Sequence, residues 1–299
     1  MGQILIGTAS WTDKTLIQDG SFYPKTVASS AEGRLRFYAE QFPIVEVDST
    51  YYAPPSEKNC IAWINRTPPN FTFHIKAYSL LTKHPTRPAS LYKDLVPLIP
   101  AEHHNKRTIY SNHLTEPVMD EVWKRFAQAL LPLHSSGKLG VVHFQFPEWF
   151  IPGSQSRNYI IEVQDRLPDY RIAVEFRNGT WVNEKNLERT LSFLGQNRIP
   201  FTSVDMPQGF TSSLPPLAVA TTRDLAYVRF HGRNTEQWDK PHAIATPRFA
   251  YKYSPDELAE WAPKLVELKS KVDTVHVLMN NCYRDYAVDN ARELADLLA

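Results

Sequence analysis

The sequence predicts an α/β fold of the (β/α)8 TIM-barrel-like class, built as a single domain over residues 1–299. Three observations predict it: eight short β-rich segments recur along the chain, helix-like stretches separate them, and no glycine-rich turn follows the first segment. Alternating β and α units bring successive strands into one parallel sheet. An open doubly wound sheet would use the same alternation, but it usually carries a glycine-rich phosphate turn after its first strand. Here that position reads GTASW, from Gly7.

The predicted strands are, in order, ILIGTAS from Ile4, IVEVDST from Ile44, FTFHIKA from Phe71 and LGVVHFQFP from Leu139. YRIAVEFR from Tyr170, IPFTSVDM from Ile199, AYVRFHGR from Ala226 and TVHVLMNN from Thr274 complete the set. Each is rich in β-branched or aromatic residues, which suit a pleated, buried surface. Between them, residues 32–41, 116–133, 184–196, 255–269 and 288–298 repeat apolar positions with the period of an amphipathic helix. After the third strand the rhythm breaks. Residues 78–115 are rich in proline, histidine and basic side chains. A connection this long is expected to be a functional lid or small subdomain, or else a surface excursion that caps the barrel.

A chain with 42% hydrophobic and 22% charged residues can bury a substantial core. Its formal net charge of +1 excludes a protein that works through a global basic field, while leaving room for a local basic patch. The two cysteines, Cys60 and Cys282, form no disulfide framework and no paired-cysteine zinc motif, so a reducing, cytoplasmic setting is expected. Residues 1–11 do not read as a secretory signal, and no apolar run approaches the roughly 20 residues that span a bilayer. No membrane partner is expected.

Strand side chains alternate between faces, and helices outside a barrel require the apolar face. The polar set should therefore point inward, toward the C-terminal rim where barrel enzymes place their sites. This set comprises Glu46 and Asp48, His74 and Lys76, His143 and Gln145, Glu175 and Arg177, Ser203 and Asp205, Arg229, His231 and Arg233, and His276 and Asn280. An unpaired buried charge costs several kcal/mol, so these groups must pair, stay hydrated or hold a ligand. A purely internal network, for example Glu46 with Arg229 and Glu175 with Lys76, would also satisfy them.

This set could support several chemistries. Glu46, Asp48, Glu175 and Asp205 supply carboxylates for glycoside cleavage, but the ends of the fourth and seventh strands, where barrel glycosidases commonly place their acids, carry Gln145 and His231. A divalent metal could use the same carboxylates with His231, against competition from Lys76, Arg177 and Arg229. No metal ligand set is assigned. No flavin, nicotinamide or ATP motif is visible, so no nucleotide cofactor is inferred. Lys76 could form a Schiff base, although anion binding by Lys76, Arg177, Arg229 and Arg233 accounts for more of the set. His231 is the natural proton-transfer group, with Glu175, Glu46, Asp48 or Asp205 as carboxylate partner. Gln145, Asn280, Trp11 and Tyr51 join the expected substrate contacts, and Tyr52, Trp149 and Trp181 are further rim aromatics.

Taken in order, GTASW, VEVDSTYYAPPS, FHIKA followed by TKHP, LGVVHFQFP, AVEFRNGTW, VRFHGR and the asparagine pair before DYAVDNA resemble the YecE-like proteins, known as domain of unknown function 72. The resemblance spans essentially the whole chain. It implies a TIM-barrel-like fold without an established reaction, and any likeness to endonuclease IV-type barrels is fold-level analogy. In that family a histidine usually follows the asparagine pair, whereas this chain has Cys282, read here as an inert thiol without an identifiable base.

The sequence therefore leads to an enzyme of hydrolase, lyase or isomerase type, acting by acid–base chemistry on a small anionic or sugar-like substrate at the barrel rim. One alternative is a nucleic-acid-binding or repair protein contacting phosphates through Lys83, Arg87, Lys106, Arg107 and the rim arginines. Another is a noncatalytic metabolite-binding protein.

Overall fold

The computed structural model describes residues 2–240 and 246–299. Eight strands form one parallel sheet: β1 (Gln3–Thr8), β2 (Ile44–Val47), β3 (Thr72–Lys76), β4 (Leu139–Gln145), β5 (Ile172–Glu175), β6 (Thr202–Asp205), β7 (Leu225–Phe230) and β8 (Thr274–Met279). Their order is β5-β4-β3-β2-β1-β8-β7-β6. A parallel bridge between Val174 and Phe201 joins the two ends, with Val174 N–H donating to Pro200 O at 3.0 Å. The sheet is thus a barrel of the predicted class; six strands fall within their predicted segments, and β1 and β7 each begin one residue earlier, at Gln3 and Leu225.

The main covering helices are α1 (Ala31–Gln41), α2 (Glu57–Asn65), α3 (Glu116–Ser135), α4 (Ser154–Arg166), α5 (Leu187–Gln196), α6 (Pro255–Ala259), α7 (Ala262–Lys271) and α8 (Tyr286–Leu297). Serine hydroxyls cap three of them: Ser30 accepts from Gly33 N–H, Ser56 from Asn59 N–H, and Ser254 from Glu257 N–H. The single helix expected over 255–269 is two, because Pro263 opens the second and cannot continue the first. On the strands, Val45, Val47, Phe73, Ile75, Val142, Phe144, Val228, Phe230, Val275 and Val277 join the buried shell beneath these helices.

Inside, Ile44, Val141, Ala173, Leu225, Tyr227 and Leu278 pack into a separate cluster. Leu278 lies in register with Arg229, so apolar and polar groups share the barrel interior. Gly140 lies at an irregularity in the β3–β4 register. A Cβ there would stand 2.6 Å from the His74 ring and 2.7 Å from Thr72, so the close approach requires glycine.

Residues 78–115 form five short 3-10 turns tied by an antiparallel bridge between Thr86 and Ile109. Leu80, Leu81, Leu91, Leu95, Ile99 and Ile109 are buried beneath them. Arg125 of α3 grips Asp94 through two hydrogen bonds of 2.7 Å, and Tyr159 of α4 donates to Leu81 O at 2.8 Å. The insertion is therefore a packed subdomain bordering one side of the rim. Among the described residues, no helix is long and apolar enough to cross a membrane.

Candidate functional site

Strand alternation delivers Glu46, His143, Glu175, Tyr227 and Arg229 to the barrel centre, where all five are fully buried. Arg229 is the hub. Its Nη2 donates to Glu46 Oε1 at 2.6 Å and its Nη1 to Glu175 Oε2 at 2.7 Å. Glu46 Oε2 also accepts from the Tyr227 hydroxyl at 2.7 Å and faces His143 Nδ1 at 3.0 Å. Glu175 Oε1 accepts from Arg177 Nε at 2.6 Å, and Arg177 reaches Gln145 Oε1 at 3.3 Å. Two carboxylates and two guanidiniums cancel, which is how such a dense charge set can exist in a barrel interior. The expected pairing of Glu46 with Arg229 is present, whereas Glu175 is taken by Arg229 and Arg177 instead of Lys76.

This arrangement fixes the protonation states. Burial opposes ionisation of Glu46 and Glu175, yet Arg229 and His143 beside the first, and Arg177 and Arg229 beside the second, hold both carboxyls well below the usual carboxylate range. His231 is also fully buried, with Nδ1 2.7 Å from Asn280 Nδ2 and Nε2 3.2 Å from Glu175 Oε1. Burial and the nearby Arg177 push its pKa down to about 3, so it is a neutral ring at physiological pH. A proton on Nε2 would be donated to Glu175, whereas Arg177 Nη2, 3.2 Å from the same nitrogen, can only donate to it. Below it, His74 Nε2 and His276 Nδ1 lie 2.8 Å apart, and burial keeps both rings neutral.

The layer above differs. Lys76, Asp48, Gln145 and Arg177 are partly exposed at the strand ends. Among the described residues, neither Lys76 Nζ nor the Asp48 carboxylate makes a hydrogen bond or ion pair. The ring of Tyr51 lies 5.1 Å from Lys76 Nζ. Burial, then the positive charge of Arg229, lowers the Lys76 pKa. Burial raises that of Asp48 to about 6, with Lys76 opposing the rise and Glu46 adding to it. A cation with no hydrogen bond or ion pair of its own, acted on through space by Glu46, Asp48 and Glu175, therefore stands near a carboxyl that titrates near neutrality.

Three predicted site residues lie elsewhere. Asp205 faces the helices: Tyr253 Oη and Trp261 Nε1 each donate to it at 2.7 Å, and Arg233 binds both its oxygens. In β6 it is Thr202 and Val204 that share register with the inward Tyr227 and Arg229. Arg233 is turned away because Gly232, at φ +84°, breaks the strand's alternation, and it pairs with Asp205 and Glu260. Trp11 is buried edge-on against Trp63 and Phe73, behind the barrel wall. Trp181 is fully buried, stacking on Phe176 at 4.0 Å.

Tyr227, His84 and Trp238 are site neighbours that the sequence reading did not single out. Strand parity puts Tyr227 on the same face as Arg229, but a tyrosine there carries no signal that separates it from core. His84 stands 5.3 Å from Tyr51, and Trp238 lies against Arg177 and His231. Cys282 has its thiol pKa pushed well above the usual thiol value by burial, with Asp13 and Asp48 adding to the rise. The proposed metal donors do not converge, since Glu46 and Glu175 are occupied by guanidiniums and Asp205 faces outward. No group of three such side chains among the described residues could hold a metal ion. On the insertion, Arg87, Lys106 and Arg107 are exposed, while Lys83 sits over the Tyr159 ring at 3.6 Å.

Comparisons with known proteins agree with this architecture. The UPF0759 protein YunF of Bacillus subtilis is 32% identical over 298 residues, covering 99% of this chain and 94% of the relative. A crystal structure of a DUF72 family protein from Thermotoga maritima superposes with a TM-score of 0.76 at 28% identity, covering 99% of both chains. One from Enterococcus faecalis superposes with a TM-score of 0.78 at 25% identity, covering 99% of this chain and 95% of that one. The model described as "protein of unknown function DUF72" matches residues 5–299, and the chain belongs to that family.

Proposed function

We propose that the barrel mouth binds a small anionic substrate, a carboxylate or phosphate ester, and acts on it by acid–base chemistry of the hydrolase, lyase or isomerase kind. The observation that carries this reading is the contrast between the fully paired Glu46–Arg229–Glu175–Arg177 network and the unpaired Lys76 directly above it. Holding an ammonium group in a half-buried mouth without a direct ion-pair partner costs free energy that an anionic ligand would recover. Lys76 is the anion's main contact, with Arg177 and the free amide nitrogen of Gln145 at its edge. The buried network serves as a rigid, neutral base that keeps Arg177 aimed at the mouth.

Proton transfer falls to Asp48. His231 was the sequence candidate, but a ring with a pKa of about 3 does not carry a proton near neutrality, whereas Asp48, at about 6, exchanges one readily. His231 then orients Glu175 and, through it, Arg177. Both cysteines are free, which suits the reducing cytoplasm in which we place this activity.

Calorimetric titration with inorganic phosphate and with citrate tests the reading. Lys76→Met is expected to weaken binding about 10- to 100-fold, the value of a charge-assisted hydrogen bond. Unchanged affinity in that variant refutes it. Binding of a single-stranded oligonucleotide with steep salt dependence, in place of the small anions, would instead establish the nucleic-acid alternative.

A further inference from the structure

The mouth continues sideways along an aromatic track. From Lys76 Nζ the ring of Tyr51 is 5.1 Å away, His84 follows at 5.3 Å, and Trp149 lies 5.9 Å beyond His84. Trp149 is 53% exposed, although it is a large aromatic at the end of a barrel strand. It forms one wall of a groove of about 620 Å³ between the 78–115 insertion and α4, within the size range of small-molecule sites.

The lining determines what would fit. Asn112, Gln155, Ser156 and Asn158 face this groove, and among the described residues none of their side chains makes a hydrogen bond. The one cation, Lys83, is already committed to the Tyr159 ring at 3.6 Å and to Ser111 Oγ at 3.4 Å. Glu162, another lining residue, acts electrostatically on Lys83 and is itself paired with Arg166 at 3.6 Å. The groove therefore offers an aromatic plate, uncommitted amides and hydroxyls, and no free charge.

A phosphodiester chain would find no available cation there, and an apolar ligand would leave the amide groups without partners. A neutral polyhydroxylated ring uses both features, laying its C–H face on the indole and its hydroxyls against the amides. We propose that this groove is a second binding subsite for a neutral sugar-like ring, linked to the anionic unit held at the mouth, so that the substrate is a glycoside or sugar conjugate spanning both. The linkage to the mouth rests on the reading of Lys76 given above; the groove's chemistry does not.

The indole N–H spectrum of 15N-labelled protein provides the test, with Trp149→Phe identifying the Trp149 signal among the seven tryptophans. Cellotriose, xylotriose and tri-N-acetylchitotriose serve as probes. At least one is expected to move the Trp149 signal saturably, and Asn158→Ala is expected to weaken that response about 3- to 10-fold. A Trp149 signal unmoved by all three, or moved only by a single-stranded oligonucleotide, overturns the proposal. Lys76→Met separates the two claims. Loss of phosphate binding with the trisaccharide response retained supports both. Phosphate binding retained in that variant refutes the mouth reading and the proposed linkage, even if the trisaccharide response persists.

Discussion

Asp48→Asn is expected to make the protein more stable above neutral pH while impairing its chemistry. The folded chain raises the Asp48 pKa from 3.8 to about 6, mainly by burial. Folding therefore favours the protonated carboxyl, and ionisation works against the folded state. That penalty is absent below about pH 3.8, grows as the pH rises, and is complete above about pH 6. At 1.36 kcal/mol for each pH unit between those values, its ceiling is ~3 kcal/mol. Partial exposure of the side chain reduces this, leaving about 1–3 kcal/mol. Asparagine keeps the shape and removes the charge. Urea unfolding at about pH 8 should show the variant more stable by that amount, with the difference shrinking toward about pH 4. Equal or lower stability of the variant at the higher pH would refute the electrostatic reasoning, and with it the assignment of Asp48 as the near-neutral proton carrier.

The remaining predictions concern the groups below and beside Asp48. Arg229→Met leaves two buried carboxylates short of their shared partner and should cost about 3–5 kcal/mol of unfolding free energy; a loss below about 1 kcal/mol contradicts the network's role. Because Glu46 and Glu175 titrate well below the usual range, the stability that they contribute is present above the ordinary carboxylate pKa and lost as the pH falls. The acid limb of the unfolding curve should accordingly flatten in the same variant. The pKa of Cys60 is pushed up to about 12 and that of Cys282 also lies far above the usual thiol value. Both should react with iodoacetamide far more slowly in the native protein than after denaturation, and rapid native labelling of Cys282 would contradict its reading as an inert thiol.

The barrel was legible because its evidence is local and repeated. Val45 and Val47 against Glu46 and Asp48, or Val142 and Phe144 against His143 and Gln145, state in sequence which face meets the helices. The rule failed in β6, where the covering side chains Trp261 and Tyr253 present an indole N–H and a phenol O–H, so the helix side accepts the carboxylate of Asp205. It failed again at Arg233, where one glycine with positive φ turns the chain out of the strand pattern. Trp11 follows a strand as a site aromatic would, but Trp63 and Phe73 enclose it.

Pairing was less legible than placement. Parity puts Glu175, Lys76, Arg177 and Arg229 inside one barrel, but which cation reaches Glu175 depends on distances between strands far apart in sequence. Two arginines occupy the carboxylate, and Lys76 is left without a direct ion-pair partner. His231 depends on the same kind of distance. A histidine near a rim carboxylate reads as a proton shuttle, but complete burial beside Arg177 lowers its pKa to about 3, which is why proton transfer is proposed for Asp48 instead.

A crystal structure grown or soaked in sodium phosphate asks whether Lys76 and Asp48, and not the carboxylates beneath them, form the working face of the barrel. The expected result is an anion within hydrogen-bonding distance of Lys76 Nζ, with the Glu46–Arg229–Glu175 network unchanged below it. Lys76 paired with Asp48 across a dry, closed mouth, with phosphate bound elsewhere or not at all, would contradict it.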